Sequence, residues 1–402
     1  MQVEPAARTR LLLLYAARAL RGVGDGFAII ILPAYLSAIG ATPTEIGFVA
    51  AASLLGTALA TLVVGFVAPR HDLRNLLMAG AGLVACTGVA FSNVENLALI
   101  LVVAFIGTVN PSTGDLGVLV PLEHAMLAHE ASDQERTRVF ARYSLIGALS
   151  MAAGALAAAL PDFAAFAGIT KIAAFKLMFY IYAFLGLASA ALYKMLPRAV
   201  MDEKKPSAPL GPSRGIVYKL AALFSIDAFA GGFVVQSLLA LWLFERFDLS
   251  LSAASLFFFW ATTLSAFSYP VAAWLAGRIG LVNTMVFTHI PSSIFLILAA
   301  FSSSLWLALA LLLLRAALSQ MDVPTRTSYV MAVVTPPERP AAAGVTAVPR
   351  SLASSLSPAI SGTLMATSFL GLPLILCGVL KIAYDMALLL SFRHIKPPEE
   401  RK

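Results

Sequence analysis

Apolar blocks of about 20 residues recur along the whole chain, and this length crosses roughly 30 Å of hydrocarbon as a helix. Lipid offers the backbone no hydrogen-bond partners, so each block should be helical. Charged residues occupy only 12% of the 402 positions, against about 25% in soluble domains. The sequence therefore predicts an all-α polytopic membrane protein and excludes a soluble globular domain.

Apolar runs bounded by turn signals predict twelve transmembrane helices. They lie near 11–38, 45–68, 75–92, 97–128, 138–160, 174–195, 214–244, 250–276, 282–302, 304–334, 341–368 and 371–392. The long polar stretch PRAVMDEKKPSAPLGPSRG, with its Pro, Ser and Lys, is typical of a solvated linker. We predict an N-terminal six-helix bundle at 1–196, a cytoplasmic linker at 197–213, and a C-terminal six-helix bundle with a short cytoplasmic tail at 214–402.

The Lys and Arg residues of the loops predict the orientation. With the N-terminus inside, 17 of them lie on the cytoplasmic side and 3 outside. We expect both termini in the cytoplasm and assign the chain to a bacterial cytoplasmic (inner) membrane.

The formal net charge of +7 lies in short loops and forms no basic stripe, so no nucleic-acid partner is expected. Cys86 and Cys377 are isolated within apolar segments, so neither a disulfide framework nor a cysteine metal site is expected.

The two halves of the chain resemble each other. VPLEHAMLAHEASDQER from Val120 and VPTRTSYVMAVVTPPER from Val323 share Val-Pro at the start and Glu-Arg at the end. RYSLIGALSMAAG from Arg142 and RSLASSLSPAISG from Arg350 share the leading Arg and the closing Gly. Each pair has the same membrane orientation, so the halves are parallel repeats, which are known from secondary transporters.

Twelve spans, a central linker and parallel halves resemble the major facilitator superfamily over nearly the whole chain. The loop GFVAPRHDLRN keeps Gly65, Arg70 and Arg74 of that family's pattern between spans 2 and 3, with Pro69 at the acidic position. The corresponding loop AWLAGRIGLVN keeps Arg278 and Gly280, with Gly277 at the acidic position. The resemblance implies two parallel six-helix pseudo-repeats around a central cavity, and transport by alternating access.

Carboxylates inside the spans are candidates for proton coupling, because an intramembrane charge needs a cavity, a partner or a proton. Asp25 lies in GVGDGF of span 1, and Asp227 lies one turn before GGF in span 7, the repeat partner of span 1. Asp115 is the third candidate. Arg21 lies one turn before Asp25, so a structural ion pair between these two residues is the alternative.

Polar residues near predicted helix breaks are candidates for substrate binding. Pro111 and Gly114 predict a kink or local unwinding in VNPSTGDLG of span 4, and broken helices at membrane depth indicate binding sites. The predicted substrate-binding residues are Arg21, Asn110, Ser112, Thr113, Gln236, Gln320, Asp322 and Arg326. Together with Arg21 and Arg326, Arg18 and Arg315 could neutralise an anion. Asp322 and Arg326 are four residues apart, so a helical ion pair is the alternative for them.

Paired charges near the cytoplasmic ends of spans 5 and 11 suit a gate whose salt bridges form and break. The predicted gating residues are Glu135, Arg142, Glu338 and Arg350. His124 and His289 lie within spans, where a lone histidine is more often a hydrogen-bonded packing residue than a ligand.

These features favour a secondary active transporter that moves a small polar or anionic solute, coupled to protons and acting as a monomer in the lipid bilayer. The alternatives are a multidrug or cationic-compound exporter, a divalent metal carrier that uses Asp25 and Asp227, and a transporter-like membrane receptor. No ATP-binding, HExxH or GxSxG motif is present, so the chain is predicted not to be an enzyme and to need no cofactor or bound metal.

Overall fold

The computed structural model describes residues 5–112, 117–130, 136–198 and 209–395. Within these ranges the α-helices are α1 Pro5–Ala38, α2 Pro43–Val67, α3 Leu73–Asn93, α4 Leu97–Ile106, α5 Leu119–Glu130, α6 Arg136–Ala157, α7 Leu160–Ala164, α8 Lys171–Lys194, α9 Arg214–Gly232, α10 Gln236–Phe247, α11 Leu251–Ile279, α12 Leu281–Phe301, α13 Leu305–Ser319, α14 Asp322–Val333, α15 Arg339–Met365 and α16 Leu372–Phe392. Short 3₁₀ turns occupy Ala68–Arg70, Ala165–Ala167 and Pro336–Glu338.

Each predicted span is occupied by one of these helices or by two in succession, so the all-α membrane fold is confirmed. In the described residues, ten helical stretches are long and apolar enough to cross a membrane. The prediction of twelve spans is therefore not matched exactly. The two predicted spans that are absent from these ten stretches are the fourth, which comprises α4 and α5, and the eleventh, which is α15.

The predicted break in span 4 is confirmed, because α4 ends at Ile106 and residues 107–112 and 117–118 are not helical. Two further breaks were not predicted. Span 10 is divided at Gln320 and Met321, and span 7 is divided at 233–235. At the latter break, the Ser361 hydroxyl donates to the Phe233 carbonyl at 2.7 Å, so a side chain on α15 satisfies a freed backbone acceptor.

The helices form two compact units. Unit 1 comprises Met1–Glu203 and Gln236–Phe259, and unit 2 comprises Lys204–Val235 and Trp260–Lys402. Helices α10 and the start of α11 therefore belong to unit 1 by their contacts, although they follow the linker in sequence. The predicted six-plus-six division with its linker boundaries stays a prediction.

In unit 1, α1 is the central helix and packs against α6, α8 and α10. A Cβ at Gly26 would lie 2.1 Å from the Met151 carbonyl oxygen, and one at Gly154 would lie 2.1 Å from the Val23 carbonyl oxygen. Glycine at both positions therefore lets the backbones of α1 and α6 touch, as small residues do in membrane bundles.

In unit 2, α9 packs against α15 and α16, and α12 packs against α13, α14 and α16. A Cβ at Gly232 would lie 2.5 Å from the Ser354 carbonyl oxygen, so α9 and α15 also approach closely. Tyr329 and Tyr384 are buried in the core beside Phe224. Helices α9, α12, α15 and α16 of this unit are thus closely packed.

Candidate functional site

Among the described residues of unit 1, the most enclosed charge is Glu123 on α5, which is 0% exposed. Arg21 of α1 donates through Nη2 to Oε2 of Glu123, and the Tyr143 hydroxyl of α6 donates to the same oxygen. The Tyr193 hydroxyl of α8 donates to Oε1 at 2.6 Å. These four residues form the Glu123 cage. Three donors from three helices satisfy the carboxylate, as a buried charge requires.

Arg18 lies one turn before Arg21 and is also buried, at 4% exposure. Its guanidinium carbon lies 5.2 Å from the centre of the Tyr143 ring, within the range of a cation–π contact. A Cβ at Gly147 would lie 2.3 Å from Nε of Arg18, so glycine on α6 leaves room for this side chain. The two arginines are thus both directed at the α5–α6 side of α1.

A pocket opens within unit 1 beside the cage. Its polar lining residues are Arg18, Arg21, Asp25, Thr57, Thr108, Asn110 and Tyr182. The Tyr182 hydroxyl donates to Oδ1 of Asp25 at 3.4 Å and lies 3.4 Å from the Thr108 hydroxyl. Both distances are long for O–H···O bonds, so the Asp25 carboxylate is weakly held. It retains acceptor capacity for a proton or for a solute donor.

The predicted alternative of an Arg21–Asp25 ion pair is wrong in this structure, because Arg21 is bonded to Glu123. One turn of helix brings Arg21 and Asp25 to the same pocket without a direct bond between them. Arg21 pairs with Glu123 on another helix and not with Asp25 on its own helix, because Glu123 is enclosed on all sides, whereas Asp25 faces the pocket.

Two more predicted binding residues lie near this pocket. Asn110 lines it and accepts a hydrogen bond from the Ser112 amide at 2.9 Å, which stabilises the non-helical turn. Gln236 is the first residue of α10, whose Ser237 amide donates to the Pro111 carbonyl at 3.1 Å. The predicted residues Thr113, Asp115 and Glu135 lie outside the described residues.

Unit 2 holds a continuous series of buried charged side chains. Arg326 on α14 is bonded to Asp322 at 2.8 Å and to Asp227 of α9 at 3.2 Å. The predicted helical pair of Asp322 and Arg326 is therefore present, and it is extended to a third residue. Asp227, at 3% exposure, also accepts from Lys381 of α16 at 2.7 Å.

The series continues through a histidine. Nζ of Lys381 lies 3.1 Å from Nε2 of His289 on α12, and Nδ1 of His289 lies 3.1 Å from Oδ1 of Asp385 on α16. Lysine has no acceptor, so Lys381 donates to Nε2 and the neutral imidazole donates from Nδ1 to Asp385. The order Asp322–Arg326–Asp227–Lys381–His289–Asp385 is the Asp227 network. His289 was expected to be a hydrogen-bonded packing residue, and both of its ring nitrogens do have hydrogen-bond partners, which are charged side chains of this network.

A model of the major facilitator superfamily matches residues 14–241 and 220–402. The chain belongs to the major facilitator superfamily. It is 26% identical over 418 residues to the uncharacterized membrane protein YJR124C of Saccharomyces cerevisiae, in a match that covers 94% of this chain and 93% of that protein.

Solved structures of this superfamily share the fold. The nucleoside transporter NupG matches with a TM-score of 0.75 and 14% identity, over 96% of this chain and 99% of that one. The xylose transporter XylE from E. coli in an inward-open conformation matches with a TM-score of 0.73 and 14% identity, over 98% of each chain. Family and fold together identify the chain as an integral membrane transporter.

The predicted gating residues of this superfamily member occupy unlike surroundings. Arg142 is exposed, whereas Glu338 is buried at the start of α15. Glu338 accepts from the Gly211 amide and from the Thr335 hydroxyl at 2.6 Å. Hydrogen bonds from Ser213, Thr335 and the Gly211 amide lower the pKa of the Glu338 carboxyl to about 2. Glu338 is therefore ionised at physiological pH and holds the end of the linker against the loop before α15. Its gating role stays a prediction.

The internal repeat relates the two charged sites to each other. The alignment that matches Phe27 with Phe233 places Arg21 opposite Asp227, and the Val-Pro alignment places Glu123 opposite Arg326. In both repeats of this chain a buried ion pair therefore joins the first and fourth spans, with the positive and negative partners exchanged.

Four important residues escaped the sequence-based prediction: Glu123, His289, Lys381 and Asp385. Tertiary pairs between distant helices leave no local spacing signal. The repeat alignment did contain a signal for Glu123, because it is matched with the predicted residue Arg326. Gln320, which was predicted to bind substrate, is half-buried at the break between α13 and α14.

Proposed function

We propose that this major facilitator superfamily protein is a secondary active transporter that moves a small polar or anionic solute by alternating access and couples that movement to protons. The observation that carries the proposal is the Asp227 network. It comprises five buried ionisable side chains and the partly buried Lys381, in unbroken contact across α9, α12, α14 and α16. Intramembrane charges are costly and typically mark ion or proton pathways.

His289 is the member of the network whose ring nitrogens can each donate or accept a hydrogen bond, according to where its protons lie. In the neutral form its Nε2 accepts from Lys381, at 3.1 Å. A proton on Nε2 removes this acceptor and places two cations side by side, so the contact must break. Nε2 lies 3.9 Å from Oδ1 of Asp227, so the protonated ring can take the place of Lys381 there. Protonation would thus exchange the partner of Asp227 and bias α12 and α16 towards a second arrangement.

The pocket of unit 1 supports the choice of solute. Its lining includes two arginines, Asp25, two threonines and Asn110. These groups offer donors and acceptors to a small polar or anionic molecule. The structurally similar transporters carry a nucleoside and xylose, so the shared fold does not select one solute.

The alternatives receive less support from the contacts. An exporter of large apolar cations would need a pocket dominated by Phe and Met, whereas charged and polar side chains line this one. A divalent cation at Asp227 would have to displace Lys381 and Arg326, which bond to both carboxylate oxygens. A receptor would bind its solute without exchanging it across the membrane.

The coupling can be measured in proteoliposomes that contain a pH-sensitive dye. We expect a transported solute, identified by thermal shift and counterflow, to move protons with it and to accumulate in response to a pH gradient. Asp227→Asn and His289→Gln should each reduce accumulation at least about ten-fold while counterflow continues. Glu95→Gln, which removes an exposed charge paired with Lys176, is the matched control and should retain coupling. Accumulation that ignores the pH gradient, or that persists in both variants, would contradict the proposal.

The proposed orientation, with both termini in the cytoplasm, has its own test. A reporter fused after Lys205 should be cytoplasmic and one placed near Ala164 should be external, because the positive loops remain on the cytoplasmic side. Reporter activity on the opposite sides would reverse the orientation. The assignment to a bacterial cytoplasmic membrane stays a prediction, and the matched relative is from yeast.

A further inference from the structure

Arg350 on α15 is a charged residue whose surroundings do not satisfy it. Its Nε is enclosed, and no acceptor among the described residues lies within hydrogen-bond distance of that atom. The side chain as a whole is half-buried, so part of the guanidinium remains accessible. A charged donor that is enclosed without a partner is costly to keep.

Arg350 lies on a helix that packs against the helices of the Asp227 network. Helix α15 packs against α9, which carries Asp227, and also contacts α14, which carries Asp322 and Arg326. However, Asp227 is bonded to Lys381 and Arg326, and Asp322 is bonded to Arg326. Arg350 therefore lies beside the network without forming an ion pair in it.

The repeat supplies a comparison for this residue. The alignment of spans 5 and 11 matches Arg350 with Arg142, which is exposed. A gate built alike in both halves would place both arginines in similar surroundings. The difference favours a separate role for Arg350, specific to unit 2.

We propose that Arg350 binds the anionic group, a carboxylate or a phosphate, of the transported solute, and this inference rests on the proposed function. A guanidinium is planar, stays charged, and presents paired donors that match either oxyanion. The bound anion would accept hydrogen bonds from the accessible part of the guanidinium and would balance its charge. It would also lie beside Asp227, so that solute binding and the protonation state of the network influence each other electrostatically.

The test follows the thermal unfolding midpoint of the full purified chain in detergent. Sodium phosphate and sodium succinate are titrated separately against sodium chloride at constant ionic strength. We expect at least one of the two anions to raise the midpoint saturably, and the effective anion identifies phosphate or carboxylate as the preferred group. Arg350→Gln should raise the apparent Kd at least about ten-fold, because a charged hydrogen bond is lost. The apparent Kd of Arg350→Lys should lie between those of the unmodified chain and Arg350→Gln. Arg142→Gln is the matched control, and its midpoint should respond to the anion as that of the unmodified chain does.

The midpoint without added anion separates binding from structure. A binding arginine without a protein partner is dispensable for folding, so Arg350→Gln should unfold at the same or a higher temperature than the unmodified chain. A lower midpoint with an undiminished anion response would show a structural role and overturn the proposal. The proposal would also be overturned if the anion raised the midpoint of Arg350→Gln as much as that of the unmodified chain. The same holds if neither anion raised the midpoint of the unmodified chain saturably. Proton-driven uptake of an uncharged solute in proteoliposomes would remove this inference and leave the proposed function intact.

Discussion

Replacing Glu123 with alanine is expected to destabilise the protein by about 3 to 5 kcal/mol, because Arg21 would remain charged and buried without its carboxylate. The hydroxyls of Tyr143 and Tyr193 would also lose their common acceptor. Chemical unfolding of the purified chain in detergent, followed by circular dichroism, measures the change in the free energy of unfolding.

An exposed ion pair in the same unit supplies the control. Lys176 and Glu95 are bonded at 2.6 Å, but their side chains are 30% and 59% exposed. Glu95→Gln should change the free energy of unfolding by less than about 1 kcal/mol. If Glu95→Gln and Glu123→Ala lowered the free energy of unfolding equally, the Glu123 cage would contribute no more to stability than an exposed ion pair.

The exchange of charges between the repeats leads to a sharper form of the same experiment. In unit 2 the acid is on the first span of the repeat and the base is on the fourth, opposite to unit 1. The double variant Arg21→Glu with Glu123→Arg copies the unit 2 arrangement, and the tyrosine hydroxyls can accept as well as donate. It should regain more than half of the stability lost in Glu123→Ala. A double variant no more stable than the single one would show that the two pairs are not interchangeable.

The helices were predictable because hydrophobic length is a local property of the chain. Predicted span limits and observed helix ends agree closely, as for α3 and α16, since polar loop residues mark the boundaries. The break near Pro111 was predictable because proline lacks a backbone donor. The break at 233–235 was not, because it depends on Ser361 of a distant helix.

The charged sites were only partly predictable. Single residues such as Asp25 and Asp227 are conspicuous, because carboxylates are rare in apolar segments. Their partners are not, because nearest neighbours in sequence compete with residues on other helices. Arg21 illustrates this point: helical spacing suggests Asp25, whereas packing of α1 against α5 and α6 brings it to Glu123.

Asp25→Asn is expected to leave the protein folded and to abolish concentrative transport. The Glu123 cage retains the partner of Arg21 when the Asp25 charge is removed, so the free energy of unfolding should change by less than about 1 kcal/mol. Asparagine still accepts the weak bond from Tyr182. It cannot release a proton, so a coupling carboxylate at this position would be fixed in its neutral form.

Two transport assays on Asp25→Asn then separate its possible roles, with Tyr182→Phe as a control that removes the hydrogen-bond donor and keeps the carboxylate. Loss of accumulation with normal counterflow supports the coupling role of Asp25, since exchange of solute needs no net proton movement. Loss of both accumulation and counterflow in a folded protein makes Asp25 a solute-binding residue, because the pocket then no longer binds the solute. Full accumulation in Asp25→Asn would remove it from the mechanism and leave coupling to the Asp227 network, where Lys381 and His289 compete for the same carboxylate.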